Sequence, residues 1–121
     1  MPKTENLSQT YLRFLNLANA IRSLPLFPAL DAVEERVLNV LAATWATGAK
    51  LTVLEAMQLQ VDSSATTVRR RLQTLRQKGL IEFQPDQTDS RIKYVMPTAV
   101  AQNYFSKLGR CLDMAARGRL P

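Results

Sequence analysis

The side chains able to read or hold a nucleic acid gather in one short segment. Thr66, Thr67, Arg69, Arg70, Gln73, Thr74 and Gln77 lie close together. Arginine can grip the O6/N7 edge of guanine, glutamine pairs with adenine, and threonine reaches a phosphate or a thymine methyl. A second group follows at Asp86, Asp89, Arg91 and Lys93, in and just after the polar run PDQTDS. An arginine at the end of such a loop suits the minor groove, where narrow A·T-rich stretches carry a strong negative potential. A plainer reading makes the first group a solvated helix face. The second is then a hairpin whose Arg91 pairs with Asp89 or Asp86. The two roles of Arg91 are compatible, because a carboxylate can hold the arginine in position.

The inventory narrows other chemistry. The chain has no histidine and one cysteine, Cys111. A histidine base, a Cys–His pair, a His-ligated zinc site and an intrachain disulfide are therefore excluded. None of the four glycines opens a phosphate-cradling loop. The expectation is a binding protein with no catalytic residue, metal or cofactor.

The elements that position these residues can be read from periodicity. Val68, Leu72 and Leu75 recur at i, i+4 and i+7 and share one helix face. At about 100° per residue, Thr66, Arg70, Gln73 and Gln77 point the opposite way. Arg69 lies on one flank of that outer face, and Thr67 and Thr74 on the other. Ser63 or Ser64 can cap the helix, and Gly79 suits its left-handed stop. Upstream, LTVLEAMQLQVD reads as a short helix, with Thr52 and Glu55 spaced as a capping box. Only a few residues separate the two helices, the arrangement of a helix-turn-helix. Asp62 takes the turn position where glycine is common, and Asp tolerates that backbone geometry next best. Downstream, 80–84 and 92–96 read as strands. Ile92, Tyr94 and Met96 alternate with Lys93 and Val95. The fold class expected is mainly α with a small β-hairpin, a winged helix-turn-helix.

From about Leu51 to Phe105 the chain resembles the MarR family of bacterial winged-helix regulators. The run TTVRRRLQTLRQKGLI is similar to that family's recognition helix and its Lys-Gly-Leu exit. Asp86, Asp89 and Arg91 reproduce the wing pattern D-x-x-D-x-R, and Pro97-Thr98 resembles the opening of the helix after the wing. The resemblance implies that Arg91 approaches the minor groove with Asp89 steadying it. It also implies that Thr66, Thr67 and Arg70 lie in or beside the major groove. Ser90 stands where the family often has a second wing arginine, and no separate sixth helix is expected after Arg117.

Charge distribution agrees with a nucleic-acid partner. The formal net charge is +6 over 121 residues. Residues 1–68 hold five basic and six acidic side chains, residues 69–93 seven and three, and residues 94–121 four and one. A basic footprint on the helix and wing is what phosphate neutralisation requires. The basic face lacks the aromatic and leucine stripe of a membrane-surface helix. No run of roughly 18 apolar residues occurs, so no transmembrane helix is expected. The start MPKTENLSQT lacks a cleavable signal pattern, which makes the cytoplasm the expected location.

The length and the 46% hydrophobic fraction suit a single winged-helix domain over 1–121. Its DNA-binding core is expected at about 31–97, with flanking helices at 5–22 and 98–116. Leu7, Tyr11, Phe14, Ala18 and Ile21 follow a 4-3-4-3 spacing, widened by Leu12, Leu15 and Leu17. Pro25 and Pro28 then interrupt the helix, and Asp31 caps the next one, which ends near Gly48. The last helix presents Tyr104, Phe105, Leu108, Leu112 and Met114. A monomer with a broad core explains some of this apolar surface, and a homodimer pairing the flanking helices about a two-fold axis explains it better. Cys111 continues the stripe of Ala101, Tyr104, Phe105 and Leu108, where a small buried residue fits. An oxidant-sensing thiol beside Arg110 is the competing reading.

Together these features predict sequence-specific binding of double-stranded DNA by a transcriptional regulator. The residues expected to carry it are Ser64, Thr66, Thr67, Arg69, Arg70, Gln73, Thr74, Arg91 and Lys93, with Asp86 and Asp89 supporting the wing. The alternatives are a winged helix of plasmid replication or partition, and a winged-helix protein-interaction module. The sequence leaves open whether a small-molecule effector is used.

Overall fold

The computed structural model describes residues 7–118. Its elements are α1 (Leu7–Arg22), α2 (Ala32–Ala46), β1 (Leu51–Thr52), α3 (Val53–Ala56), α4 (Ala65–Gln77), β2 (Ile81–Pro85), β3 (Lys93–Pro97) and α5 (Ala99–Ala116). The architecture is a winged helix-turn-helix, mainly helical with a small antiparallel sheet. Residues 5 and 6 of the expected first helix, and the segment after Gly118, lie outside the described residues.

The chain divides into two compact units. The winged unit is Leu30–Ala101. The helical unit comprises described residues 7–29 and 102–118.

In the winged unit, helix boundaries follow local chemistry. Asp31 caps α2 by accepting from the Glu34 amide at 2.7 Å, while Glu34 accepts from the Asp31 amide at 2.8 Å. Thr52 and Glu55 close the same reciprocal pair around α3, at 3.1 and 2.9 Å. The turn before α4 places Asp62 at φ +56°, the left-handed geometry anticipated for it. Ser64, rather than Ser63, caps α4 by accepting from the Thr67 amide at 3.1 Å. Gly79 follows at φ +81° and ends the helix.

Three features differ from the sequence reading. The helix expected from LTVLEAMQLQVD is a single turn, Val53–Ala56, because the backbone bonds that follow tighten to turns, Gln58 to Glu55 and Leu59 to Ala56. The strands begin one residue later than expected, at Ile81 and Lys93. A third strand, β1, pairs with β3 through Leu51↔Val95 and Thr52↔Tyr94, giving the order β1-β3-β2. Two residues carry too little periodicity to announce a strand, so only their distant partner defines β1.

Packing in the winged unit centres on α2 against α4 and on the sheet. Val37, Leu38 and Leu41 of α2 and Val68, Leu72 and Leu75 of α4 are buried. On β3 it is Val95 that is fully buried, while Tyr94 and Met96 are half-buried; Ile92, just before the strand, is exposed. Trp45 donates its indole N–H to the Val95 carbonyl at 3.0 Å, tying α2 to the central strand. Thr98 donates to the Gly79 carbonyl at 2.6 Å and accepts from the Ala101 amide at 3.1 Å. The exit of α4 and the entry of α5 therefore share one hydroxyl.

The helical unit is built around Leu17, Cys111 and Ala115, with Phe14, Ile21 and Met114 packed against them. The Phe27 and Tyr104 rings meet at 5.5 Å, and Arg22 donates to the Tyr104 hydroxyl at 3.1 Å. Arg13 donates twice to the Ala115 carbonyl, at 3.0 and 3.3 Å, an acceptor at the end of α5 that also takes the Gly118 amide at 3.1 Å.

Candidate nucleic-acid interface

The amphipathic pattern of α4 sorts its residues by exposure. Val68, Leu72 and Leu75 face the core, and Thr66, Arg69, Arg70, Gln73 and Gln77 are exposed. Ser64 is exposed at the helix start, where its hydroxyl donates to Thr67 Oγ1 at 2.9 Å. Thr67 is half-buried. Thr74 is also half-buried and turns to α2, donating to Glu34 Oε2 at 2.6 Å. Its hydroxyl is thus engaged inside the protein, on the flank that sequence reading had assigned to the outer face. The arginine run divides similarly. Arg69 and Arg70 point outward, whereas Arg71 pairs with Asp31 at 2.7 Å. Further along, Arg76 lies over the Phe83 ring at 4.5 Å, binding one edge of α4 to β2.

The wing is organised by two carboxylates. Asp86 Oδ2 accepts from the Thr88 amide at 3.0 Å, the Thr88 hydroxyl at 2.8 Å and the Asp89 amide at 3.1 Å. Asp86 Oδ1 accepts from the Tyr94 hydroxyl at 3.0 Å. The Thr88 hydroxyl and amide, then Tyr94 and the Asp89 amide, hold the Asp86 carboxyl down at about 2. The same bond pushes the Tyr94 phenol above its ordinary value.

Asp89 grips Arg91 in a fork. Oδ1 accepts from Arg91 Nε at 3.0 Å, and Oδ2 from a terminal nitrogen at 2.9 Å. The Arg91 amide adds a third bond at 3.1 Å. The pairing lowers the Asp89 carboxyl and raises the Arg91 guanidinium. The Arg91 side chain nevertheless remains 89% exposed. It is oriented by its partner without being covered. Arg91 and Lys93 also border a cleft of about 420 Å³ with Thr52, Val53, Leu54, Phe83 and Ile92.

The sequence reading names Asp86, Asp89 and Arg91 for the wing but not Tyr94, whose hydroxyl donates to Asp86. It also misses Glu34 as the acceptor that engages Thr74, and Lys78 as the cation paired with Glu34. Lys78 Nζ lies 2.7 Å from Glu34 Oε1. The only signal for Glu34 was its capping-box spacing from Asp31, which says nothing about α4. Among the described residues no cluster of three or more cysteine and carboxylate side chains forms a metal-ion site. No helix among them is long and apolar enough to cross a membrane.

No protein-family model matches this chain, and no curated protein matches it significantly in sequence. Solved structures do match in fold. The YusO protein from Bacillus subtilis aligns with a TM-score of 0.54 at 19% identity, over 93% of this chain and 72% of that one. A probable transcriptional regulator from Pseudomonas aeruginosa gives 0.53 at 19%, over 95% and 82%. A mutant MarR from E. coli gives 0.52 at 21%, over 100% and 86%. The chain has the winged-helix fold seen in MarR.

Proposed function

We propose that this chain is a non-enzymatic transcriptional regulator that binds double-stranded DNA in the cytoplasm. The outer face of α4, with Thr66, Arg69, Arg70 and Gln73, enters the major groove, with Ser64 and Thr67 beside the backbone. Arg91, backed by Asp89 and Asp86, reaches the neighbouring minor groove, and Lys93 adds a phosphate contact. The observation that carries this reading is Arg91 held in a fork by Asp89 yet 89% exposed. An ion pair serving only stability gains little at such exposure, whereas an oriented, uncovered guanidinium suits a narrow groove. The fold shared with solved transcriptional regulators supports the same reading.

We further propose that two copies act together through α1 and α5. Leu7, Tyr11, Leu12 and Leu112 are exposed on these helices. A two-fold dimer would set the recognition helices roughly 34–36 Å apart on a pseudo-palindromic site.

A mobility-shift titration against salt tests the DNA reading. Log affinity should fall against log salt with a slope of about −0.9 per phosphate neutralised. Binding that stays flat from low to moderate salt would overturn it, and would favour a protein-interaction module. Selection from a random duplex pool should return one preferred site. Its position upstream of a gene, rather than at a replication origin, distinguishes transcription from replication.

A further inference from the structure

We infer that Glu34 is a positioning residue for α4, setting the rotation at which the helix presents its outer face, without itself touching DNA. This rests on the reading of α4 as the helix that enters the major groove.

Glu34 is the only buried charged side chain among the described residues of the core, at 2% exposure. Both of its oxygens are in use. Oε1 accepts from the Asp31 amide at 2.8 Å and from Lys78 Nζ at 2.7 Å. Oε2 accepts from the Thr74 hydroxyl at 2.6 Å. The same carboxylate thus completes the cap of α2 and grips α4 near its end. Its neighbour Asp31 adds a second hold, through Arg71 at 2.7 Å. Arg71, Thr74 and Lys78 fall along one flank of α4, between the buried stripe and the outer face.

The physical need for such a clamp follows from how α4 is otherwise held. Val68, Leu72 and Leu75 anchor it through apolar packing, whose driving force is non-directional. A base-reading constellation must be held within about 0.5 Å and 10–20° to work. Hydrogen bonds to a buried carboxylate are directional and act at the flank, where rotation about the helix axis is felt most. A buried ion pair is an uneconomical way to gain stability, since apolar residues of similar volume are often as stable or better. Glu34 therefore makes more sense as a device for orientation than for stability.

The test compares two variants with the wild type on its selected site and on random duplex of equal length. Glu34→Gln keeps the shape and one acceptor oxygen, but replaces the other oxygen by a donor and loses the charge facing Lys78. The pair Glu34→Met with Lys78→Met replaces the ion pair by apolar side chains. Thermal unfolding reports stability in each. The expected result for the pair variant is a folded protein whose unfolding midpoint falls only by the loss of the α2 capping-box bond from the Asp31 amide. Its ratio of specific to random affinity should fall by about tenfold, the scale of one lost base-pair preference. Glu34→Gln should show a smaller fall in the same ratio, with random-duplex affinity within about twofold of wild type. The ratio cancels the cation lost with Lys78, which a raw affinity would not. Should the pair variant not fold, the Glu34→Gln ratio decides alone. A wild-type ratio in a folded variant would overturn the positioning role and leave the proposed function intact. A wild-type protein with no sequence preference would overturn both.

Discussion

The winged unit covers most of its large apolar side chains, with Leu54, Ile92 and Val100 as exceptions, and the helical unit leaves many of its own exposed. In the winged unit Val37, Leu38, Leu41, Val68, Leu72, Leu75 and Leu80 are all at 1% exposure or less. In the helical unit the buried set leans on small residues, Ala18, Cys111 and Ala115, with Leu17, Phe27 and Tyr104. Leu7 at 66%, Tyr11 at 60% and Leu112 at 55% remain outside. The charge pattern differs as well. In the winged unit the pairs Arg71–Asp31 and Lys78–Glu34 hold α4 to α2, whereas in the helical unit Arg117 and Asp113 pair only four residues apart. The winged unit has the packing of a domain that finishes its own core. The helical unit has the surface of one that is completed by something else, which fits the proposed second copy.

The largest effect expected from breaking this contrast is in the winged core. Leu72→Ala should destabilise the protein by about 2–5 kcal/mol, read as a shift of the denaturant midpoint. Leu12→Ala, on the exposed face of α1, should change the stability of a monomer by no more than about 0.5 kcal/mol. Equal losses from the two would erase the distinction between the units.

The next effect concerns what the winged unit contacts. Arg70→Ala should weaken binding to the best site by about 1–3 kcal/mol and relax preference at one base pair. A uniform loss across all duplexes would reassign Arg70 to a phosphate.

The helical unit is probed by charge placed on its exposed stripe. Phe14 packs against the Leu17, Cys111 and Ala115 cluster, so substitution there would disturb the core. Leu112→Glu avoids this because Leu112 is exposed. Sedimentation should show a shift from dimer to monomer while helicity by circular dichroism is kept. A wild-type chain that sediments as a monomer at tens of micromolar, and protects one half-site only, would exclude the dimer.

The smallest effect lies in the wing and depends on pH. The Asp86 carboxyl is lowered to about 2 from an ordinary 3.8. Its stabilising contribution is therefore complete above the ordinary value and is lost as pH falls through about 2. Amide shifts of Thr88 and Asp89 should titrate near that lower value. A midpoint near 3.8 would mean that the wing bonds do not persist in solution. Asp86→Asn should blunt the preference for A·T-rich flanks at neutral pH, because Arg91 loses an organised loop.

What the sequence fully announces here is what near neighbours decide. The caps at Asp31, Thr52 and Ser64, the turn at Asp62 and the stop at Gly79 are set by residues within a few positions of one another. The inner stripe of α4 and the Asp86-Asp89-Arg91 wing are legible for the same reason: helix periodicity and a short turn are local. Other features belong to the tertiary structure. Strand β1 exists because residues 51–52 meet β3 more than forty positions later. Val95, not its neighbours, is fully buried because side chains alternate along the central strand and its face is the one turned to the core. Thr74 and Glu34 look like a surface hydroxyl and a helix-capping acid until α2 and α4 pack together. The direction of a side chain on a helix flank depends on which partner arrives there. Periodicity reports the angle around the axis, and only packing supplies the neighbour.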